Sequence, residues 1–485
     1  MNRIWIDVED LFHYAASMPR PSGIQRLSFE IQQALVEQFG TGGAIRFLRH
    51  DLLHGGFREI AWDEVVALFR YMVTAGPAPA APRQVIEPPR RGWLRRKLRP
   101  SIQRLPTTVR EPLTRAVRHQ LECLQALAGA ARLQVASWCF LLRAAHAALR
   151  PHHKSPSPHD SASPPGPTEK FGATVQAGDT LLVLGSPWWR DDYGELVRLA
   201  RARHGMRFAL LVYDLIPIRR PEWCDRYLVI AFTGWLDEML PLADAVLTIS
   251  RATARDVAWH AERHGIALAG PITPITIGHG FGVAPAAASP SPSLPEAGSY
   301  VLFVSTIEAR KNHMLLFRVW RRLLEEMPPG QVPTLVFAGR IGWLVADLMQ
   351  QLDNAGHLGG AIVIIENPSD DDLAALYRGC LFTVFPSLYE GWGLPVTESL
   401  LFGKPCVVAA ATSLPEAGGS FARYFDPDNL HDAVRVIRAT LEDRAGLAAW
   451  QARIRREFRP IPWSASAQSV LEALAAFHAP VAPEP

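Results

Sequence analysis

The stretch from Phe385 to Glu398, with the sequence FPSLYEGWGLPVTE, combines two carboxylates with two glycines and a proline. Glu390 and Glu398 are separated by seven residues, and Pro395 favours a helix start between them. A helix start binds anions through its free N–H groups and the positive end of its dipole, and carboxylates accept hydrogen bonds from sugar hydroxyls. The stretch therefore predicts a site for a ligand with both phosphate and hydroxyl groups, with Glu398 in the first helical turn. On these residues alone, Glu390 as a solvated loop residue and Glu398 as part of an ordinary helix start stay open as the alternative.

A second group of charges lies in the segment Val304–Asn312, VSTIEARKN, where Arg310 and Lys311 stand at a predicted helix start. A forked guanidinium beside a compact ammonium suits a diphosphate. Two cations in a first helical turn oppose the helix dipole at a cost of roughly 0.3–1 kcal/mol each, which favours an anionic partner. The alternative is a solvated helix start.

Short apolar runs alternate with amphipathic stretches of helical length along most of the chain, a pattern typical of parallel α/β sheets with crossover helices. Strands are predicted at Arg3–Val8, Ile45–Arg49, Thr180–Leu184, Phe208–Tyr213, Ala245–Ser250, Ile275–Gly278, Tyr300–Ser305, Thr334–Ala338, Ile362–Ile365, Phe382–Phe385 and Cys406–Ala409. Helices are predicted at Gly194–His204, Arg226–Pro241, Ala252–His264, Lys311–Glu326, Trp343–Asn354, Asp370–Gly379, Pro395–Phe402 and Leu430–Glu442.

The proline-rich segment Val283–Glu296, VAPAAASPSPSLPE, divides this pattern into two halves. We therefore predict an N-terminal domain over 1–282, a linker over 283–297 and a C-terminal domain over 298–460. A final helix and tail over 461–485 is expected to pack back on the N-terminal domain. Because ligands of open α/β sheets bind outside the carboxyl ends of the strands, two such domains would share one site in the cleft between them.

A basic, proline-flanked insertion interrupts the first half at about 77–167, which holds fourteen of the 40 prolines. Its central part, Arg90–Arg150, has thirteen Lys and Arg against two Glu, whereas the whole chain has a net charge of only +3. Three interpretations are open: a solvated insertion, a basic amphipathic patch that contacts an anionic membrane, and nucleic-acid binding. We expect no nucleic acid, because no known binding module surrounds the segment and the rest of the chain is acidic.

Composition excludes several classes of protein. A hydrophobic fraction of 48% with 20% charged residues excludes a wholly disordered or fibrous chain. The five cysteines form no CxxC pair, which argues against a disulfide scaffold or structural zinc. The start MNRIWIDVEDLFHY is not a signal peptide, and no window reaches 18 apolar residues. We expect a cytoplasmic protein whose membrane contact, if any, is peripheral at the inner face of the plasma membrane.

The order of motifs in the second half resembles the C-terminal domain of family 4 glycosyltransferases, retaining enzymes with the two-Rossmann-domain GT-B fold. The resemblance covers about 299–442 and rests on VLFVSTIEARKNHMLLF, LVFAGR, FPSLYEGWGLPVTESLLFGKPCVVA and SLPEAGG. The spacing of Glu390 and Glu398 matches the E-x7-E motif of that family. RPSGIQRLSFEI, VYDLIPIRRPEW and DAVLTIS in the first half are also similar, particularly to mannosyltransferases that build bacterial O-antigen and capsule.

The resemblance implies roles for the charged residues. Arg310 and Lys311 match the pair that binds the diphosphate of the sugar donor. Glu398 matches the carboxylate that binds the nucleotide ribose, and Glu390 matches the one near the hydroxyls of the transferred sugar. Asp214 is a candidate on the acceptor side and, with Glu390, Arg310 and Lys311, completes the catalytic set.

Three further groups of positions match the donor pocket of these enzymes: the backbone around the sugar and phosphates, the loops that line the nucleotide, and a glycine-containing N-terminal loop that closes over the phosphates. In that order they are Gly391, Trp392, Gly393 and Leu394; Thr306, Gly339, Arg340 and Asn367; and Gly23 and Arg26.

The expected activity is retaining transfer of a hexose from a nucleotide diphosphate sugar, with GDP-mannose as a candidate donor, to a glycan or lipid-linked glycan. No metal or other cofactor is expected, because the HExxH pattern is absent and the acidic run Asp370–Asp372 is typical of a helix N-terminus. One position departs from the family: Tyr213 stands before Asp214, where many relatives have histidine. A catalytically inactive nucleotide-sugar-binding scaffold, or another GT-B activity such as an epimerase or phosphorylase, stays open as an alternative.

Overall fold

Two open, mainly parallel β-sheets form the framework of the chain in a computed structural model, which describes residues 2–18, 20–40, 43–51, 56–74, 167–280 and 294–476. Nearly all of the predicted insertion at 77–167 and most of the predicted linker at 283–297 therefore lie outside the described residues.

The N-terminal sheet has seven strands in the order β3-β2-β1-β4-β5-β6-β7, and only the β2–β3 pair is antiparallel. Its strands are β1 (Ile4–Asp7), β2 (Ile45–Asp51), β3 (Gly56–Ile60), β4 (Thr180–Val183), β5 (Arg207–Val212), β6 (Ala245–Thr248) and β7 (Ile272–Pro274). The helices of five residues or more in this half are α1 (Glu9–Ser17), α2 (Gly23–Phe39), α3 (Trp62–Thr74), α4 (Pro167–Thr174), α5 (Tyr193–His204), α6 (Arg226–Met239) and α7 (Arg251–His264).

The C-terminal sheet has six parallel strands in the order β10-β9-β8-β11-β12-β13, which is the 3-2-1-4-5-6 order of dinucleotide-binding folds. Its strands are β8 (Tyr300–Val304), β9 (Thr334–Ala338), β10 (Ile362–Ile365), β11 (Thr383–Phe385), β12 (Cys406–Ala409) and β13 (Ala422–Phe425). The helices of five residues or more are α8 (His313–Glu326), α9 (Ala346–Asn354), α10 (Asp370–Gly379), α11 (Leu394–Leu401), α12 (Leu414–Gly418), α13 (Leu430–Glu442), α14 (Arg444–Glu457) and α15 (Trp463–Ala476).

Each sheet is covered on both faces by buried apolar clusters, as parallel sheets require. The apolar runs that predicted the strands are the ones that end up fully buried, for example TLLV in β4 and CVVA in β12. No helix within the described ranges is long and apolar enough to cross a membrane.

The strand predicted at Ile275–Gly278 is wrong, because the pairing segment β7 lies three residues earlier and Ile275–Gly278 continues as a loop. The edge strands β3 and β13 had no counterpart in the prediction. Both are partly exposed and carry arginine, so neither forms a continuous apolar run.

Helix α15 returns the chain to the N-terminal domain. It packs against α2, and its Ala467, Val470 and Leu474 belong to the N-terminal core. The hydroxyl of Ser466 accepts a hydrogen bond from the backbone N–H of Gly278 at 2.8 Å. The final segment of the described chain is therefore part of the first domain.

We expect Leu474→Ala to lower the free energy of unfolding by about 2–5 kcal/mol, because Leu474 is only 3% exposed and its truncation leaves a cavity between α15 and α2. Leu324→Ala on α8 is the matched control: Leu324 is 40% exposed, and the change should stay within about 0.5 kcal/mol. Urea titration measures both. Equal losses in the two variants would contradict the packing of α15.

Candidate active site

The two charged segments found in the sequence meet at one point of the C-terminal sheet. Arg310 and Lys311 follow β8, Glu390 follows β11, and these two strands are neighbours although three helices and two strands separate them along the chain. The sheet order reverses between β8 and β11, and the crevice at such a switch point is where open α/β sheets bind ligands.

Glu390 accepts hydrogen bonds from both cations: its Oε2 lies 2.8 Å from Nη1 of Arg310 and its Oε1 lies 2.5 Å from Nζ of Lys311. Nη2 of Arg310 lies 2.8 Å from Oε1 of Glu308, a second buried carboxylate. Nη1 of Arg310 also donates to the carbonyl oxygen of Tyr389 at 2.8 Å. We call Glu308, Arg310, Lys311 and Glu390 the ion cluster. Because Glu390 is buried and paired, the solvated-loop alternative is wrong.

Burial by itself would raise the pKa of Glu390, but Arg310 and Lys311 outweigh it and lower the pKa to about 2. The carboxylate is therefore charged throughout the physiological range. Two cations and two carboxylates cancel within the ion cluster, so none of its charges is left unpaired.

The backbone that carries Glu390 is held by a neighbouring loop. Thr412, in the left-handed region with a φ of 47°, accepts a hydrogen bond from the N–H of Glu390 at 2.9 Å. The Ser413 hydroxyl lies 2.9 Å from the carbonyl oxygens of both Glu390 and Trp392. These contacts position the carboxylate before any ligand arrives.

Helix α11 begins directly after this loop. Gly393 precedes it with a φ of 111°, and Leu394 rather than Pro395 is its first residue. Glu398 is therefore the fifth residue of the helix. The prediction from the sequence, which placed Glu398 in the first turn, is wrong. Its Oε2 accepts a hydrogen bond from the Tyr377 hydroxyl at 2.8 Å.

Residues of the N-terminal domain lie against this site. Gly23 was predicted to lie in a loop, but it is the first residue of α2. The start of this helix is capped by Ser22. A Cβ atom on Gly23 would lie 3.5 Å from Leu394 Cδ1, so the starts of α2 and α11 face each other. Arg26, one turn into α2, forms an ion pair with Asp370 of the C-terminal domain at 3.2 Å.

Gly391 contacts the end of β5 so closely that only glycine fits. A Cβ atom there would lie 2.4 Å from the Tyr213 carbonyl oxygen and 3.1 Å from Asp214 Cβ. Burial raises the pKa of Asp214, and the nearby Arg310 offsets only part of this effect. The Tyr213 hydroxyl donates to the Leu184 carbonyl oxygen at 2.6 Å inside the N-terminal core, so this side chain is structural.

The remaining predicted residues lie beyond the ends of β8, β9 and β10. Gly339, with a φ of 155°, leaves no space for a side chain, since a Cβ atom would lie 2.0 Å from the Ser305 carbonyl oxygen. Asn367, in the left-handed region, donates its N–H to Gly339 at 3.3 Å. Thr306 packs near Gly342, and Arg340 is exposed beside these loops. All four therefore lie on the ligand-binding side of the sheet.

A further contact between the domains, made by Glu416, was not predicted. The carboxylate of Glu416 on α12 accepts hydrogen bonds from the backbone N–H groups of Arg251 and Ala252, at 2.9 and 2.8 Å. These donors are free at the start of any helix, and here the other domain supplies their acceptor. A carboxylate in this position also interacts favourably with the dipole of α7.

Sequence reasoning missed four residues of the site: Glu308, Tyr377, Asp370 and Thr412. Glu308 lies two residues before Arg310, and an acid beside a cation pair was a usable indication of a cluster. The other three are distant in sequence from the groups they contact, so no local pattern could have identified them. Within the part of the chain that the structure describes, no group of three His, Cys, Asp or Glu residues is placed to hold a metal ion.

Two Rossmann-like domains, joined by close contacts and with a charged cluster at the switch point of the C-terminal sheet, define the GT-B fold. The predicted fold class is thereby confirmed.

Comparisons with known proteins agree with this class. Residues 287–457 match the family model "Glycosyl transferases group 1", a segment that includes the whole C-terminal sheet and the ion cluster. The chain is 28% identical over 276 residues to the serotype-specific mannosyltransferase WbdA of Escherichia coli, covering 54% of this chain and 33% of the relative. It is 34% identical over 144 residues to the O-antigen chain mannosyltransferase B of Escherichia coli, covering 30% and 37%. The chain is therefore similar to glycosyltransferases of this family over its C-terminal part.

The chain spans about a third of the length of these two relatives. Among solved structures, Anabaena HepE in complex with UDP is 17% identical, with 63% of this chain and 81% of that chain covered and a TM-score of 0.44.

We expect Glu390→Gln to lower the free energy of unfolding by about 3 kcal/mol at pH 7. The reason is that the Glu390 carboxylate of the wild type has a pKa of about 2 in the folded state and an ordinary value of 4.5 in the unfolded state. A carboxylate whose pKa is lower in the folded than in the unfolded state stabilises the fold at pH values above its unfolded pKa. For Glu390 this stabilisation is lost as the pH falls from about 4.5 to about 2. The difference between wild type and variant should therefore shrink over that window. Urea titrations at a series of pH values measure it.

The exposed Glu325→Gln on α8 is the control and should differ little from wild type at any pH. A difference between wild type and Glu390→Gln that stayed constant from pH 7 to pH 2 would contradict the ion cluster.

Proposed function

We propose that this protein is a retaining glycosyltransferase that transfers a hexose from a nucleotide diphosphate sugar to a glycan or lipid-linked glycan in surface-polysaccharide biosynthesis. The observation that carries the proposal is the ion cluster beside the start of α11: Arg310 and Lys311 are held by Glu390 at the switch point of the sheet. Mannose is the proposed sugar and GDP-mannose the proposed donor, because both Escherichia coli relatives are named as mannosyltransferases.

The donor diphosphate would compete with Glu390 for the two cations. As Arg310 and Lys311 turn to the phosphates, the Glu390 carboxylate is released to accept hydrogen bonds from the hydroxyls of the transferred sugar. The same residues would therefore be satisfied with and without donor. Pairing in the free protein keeps the cations oriented, which lowers the cost of organising the site when donor binds.

In the transfer step, the bond between the sugar carbon and the diphosphate oxygen breaks. Arg310, Lys311 and the N–H groups at the start of α11 stabilise the charge on the departing diphosphate. The acceptor hydroxyl attacks the same face of the oxocarbenium-like sugar, and its proton passes to the departing phosphate oxygen. Asp214 lies on the acceptor side of this centre. Protein groups would neutralise the charge on the diphosphate, without a metal or other cofactor.

A catalytically inactive nucleotide-sugar-binding scaffold is the second candidate. The observation in its favour concerns Tyr213, which stands where many relatives have histidine. Its side chain is packed and hydrogen-bonded inside the N-terminal core and is not available to contact a substrate. An active enzyme and a scaffold would both bind donor, so turnover distinguishes them.

We expect Lys311→Ala to reduce sugar transfer by at least about 100-fold, because the variant loses one of the groups that stabilise the departing diphosphate. Glu398→Ala should abolish turnover with every donor. The donor is chosen from UDP-, GDP- and dTDP-sugars as the one that raises the melting temperature most. Arg318→Ala, an exposed cation on α8, is the control and should retain wild-type turnover. Near-normal turnover in Lys311→Ala would overturn the assignment, and wild type that binds donor without turnover would favour the scaffold.

The proposed location is the cytoplasmic face of the plasma membrane, with peripheral contact through the basic insertion. Arg90–Arg150 carries +11, which leaves −8 on the other residues of a chain whose net charge is +3. An anionic membrane would attract the insertion and repel the rest of the chain. A lipid-linked acceptor would then be presented on the side where the protein is held.

We expect wild type to float with vesicles of phosphatidylcholine and phosphatidylglycerol, and less with phosphatidylcholine alone or at high salt, because salt screens charges beyond about 10 Å. Deletion of residues 85–165 should abolish flotation. Equal flotation of wild type and the deletion variant would dismiss the membrane role of the insertion.

A further inference from the structure

Glu398 is held by a side chain from a different helix. The Tyr377 hydroxyl on α10 donates a hydrogen bond to Oε2 of Glu398 on α11, with an oxygen–oxygen distance of 2.8 Å. Tyr377 is only 2% exposed, and its ring stacks on Phe402 with the centroids 5.1 Å apart and an interplanar angle of 8°. The ring is therefore fixed by packing, and its hydroxyl points to one carboxylate oxygen.

The two oxygens of Glu398 have different surroundings. Oε2 is engaged by Tyr377, whereas Oε1 has no hydrogen-bond partner among the residues that the structure describes. A carboxylate with one oxygen held by a rigid donor cannot rotate freely about its last bond. Its other oxygen is thereby given one direction in which to accept a hydrogen bond.

The same contact affects the charge of the group. Burial raises the pKa of Glu398, and the hydrogen bond from Tyr377 opposes this by favouring the carboxylate. Two other charged groups face it: Arg26 from α2, which favours the charged form, and Asp370 from the start of α10, which disfavours it. Arg26 and Asp370 are paired with each other, so their effects largely offset. Tyr377 is then the neighbour that keeps Glu398 charged and able to accept hydrogen bonds from two hydroxyl groups.

We propose that Tyr377 is a positioning residue for nucleotide binding: it orients Glu398 so that the free carboxylate oxygen accepts hydrogen bonds from the ribose hydroxyls of the donor nucleotide. This inference rests on the proposed function, since it requires a nucleotide at the site. It adds a determinant that lies on another helix, that does not touch the ligand and that no local sequence pattern indicates.

The test measures binding of UDP and GDP to the full-length protein by calorimetry and continues with the tighter nucleotide. Tyr377→Phe removes the hydroxyl and keeps the ring against Phe402. The variant should bind that nucleotide about tenfold more weakly, which is the expected loss of one hydrogen bond to a charged group. Because Glu398 then charges less readily, the loss of affinity on acidification should begin at a higher pH than in wild type.

A second ligand makes the result specific to orientation. Removal of both ribose hydroxyls in the 2′,3′-dideoxy nucleotide should weaken binding to wild type at least about tenfold, but binding to Tyr377→Phe only about two- to threefold. A purely structural effect of the substitution would weaken both nucleotides equally and leave that ratio unchanged.

Tyr300→Phe is the matched control. Tyr300 is also almost fully buried in this domain, and its hydroxyl donates to the Leu376 carbonyl oxygen at 2.8 Å instead of to Glu398. It should reduce thermal stability without changing the discrimination between the two nucleotides.

The outcomes separate the two proposals. Wild type that binds the nucleotide with ribose discrimination, alongside a Tyr377→Phe variant with the same discrimination, overturns the role of Tyr377 alone. Wild type that binds none of UDP, GDP and dTDP in the same calorimetric assay overturns the proposed function, and the role of Tyr377 falls with it.

Discussion

The pairing of Glu390 with Arg310 and Lys311 is the interaction on which the rest of the site depends. Charges taken out of water are tolerated only when each has a partner, and breaking such a pair costs several kcal/mol. The loop after β11 must therefore hold Glu390 against the turn after β8, and Thr412 and Ser413 fix its backbone there. The close approach of Gly391 to β5 and the start of α11 both follow from the path that this loop is obliged to take.

Strand order converts this local requirement into a binding crevice. Between β8 and β11 the crossover helices leave to opposite faces of the sheet, which opens a crevice at the ends of these two strands. The N-terminal domain contributes at the same place through the start of α2 and through Asp214. Contacts made by Arg26 and Glu416 then hold the two domains around the crevice with an ion pair and hydrogen bonds, beside the apolar contacts of Trp392 and Leu394 with the N-terminal core.

The parts of this structure that were predictable are those encoded by neighbouring residues. Buried strands such as Thr334–Ala338 stand out because parallel sheets need continuous apolar runs, and the helix Asp370–Gly379 is marked by its acidic first turn. The pairing of Glu390 with Arg310 depends instead on which strands become neighbours, and that is a property of the whole sheet. Tyr377 could not be found for the same reason, and Gly23 was misplaced because a capping serine before glycine resembles a loop.

The return of α15 to the N-terminal domain has a consequence for the order of folding. Ala467, Val470, Ala473 and Leu474 complete a core whose other buried members precede residue 278. During synthesis, the ribosome must therefore produce the whole C-terminal domain before the first domain can close its own core. Although domains generally fold in the order in which they are made, the second domain has its core within one continuous stretch of chain and is in a position to fold first. Until α15 is made, the apolar face of α2 that it covers stays exposed in the first domain. This is the surface that chaperones would have to protect.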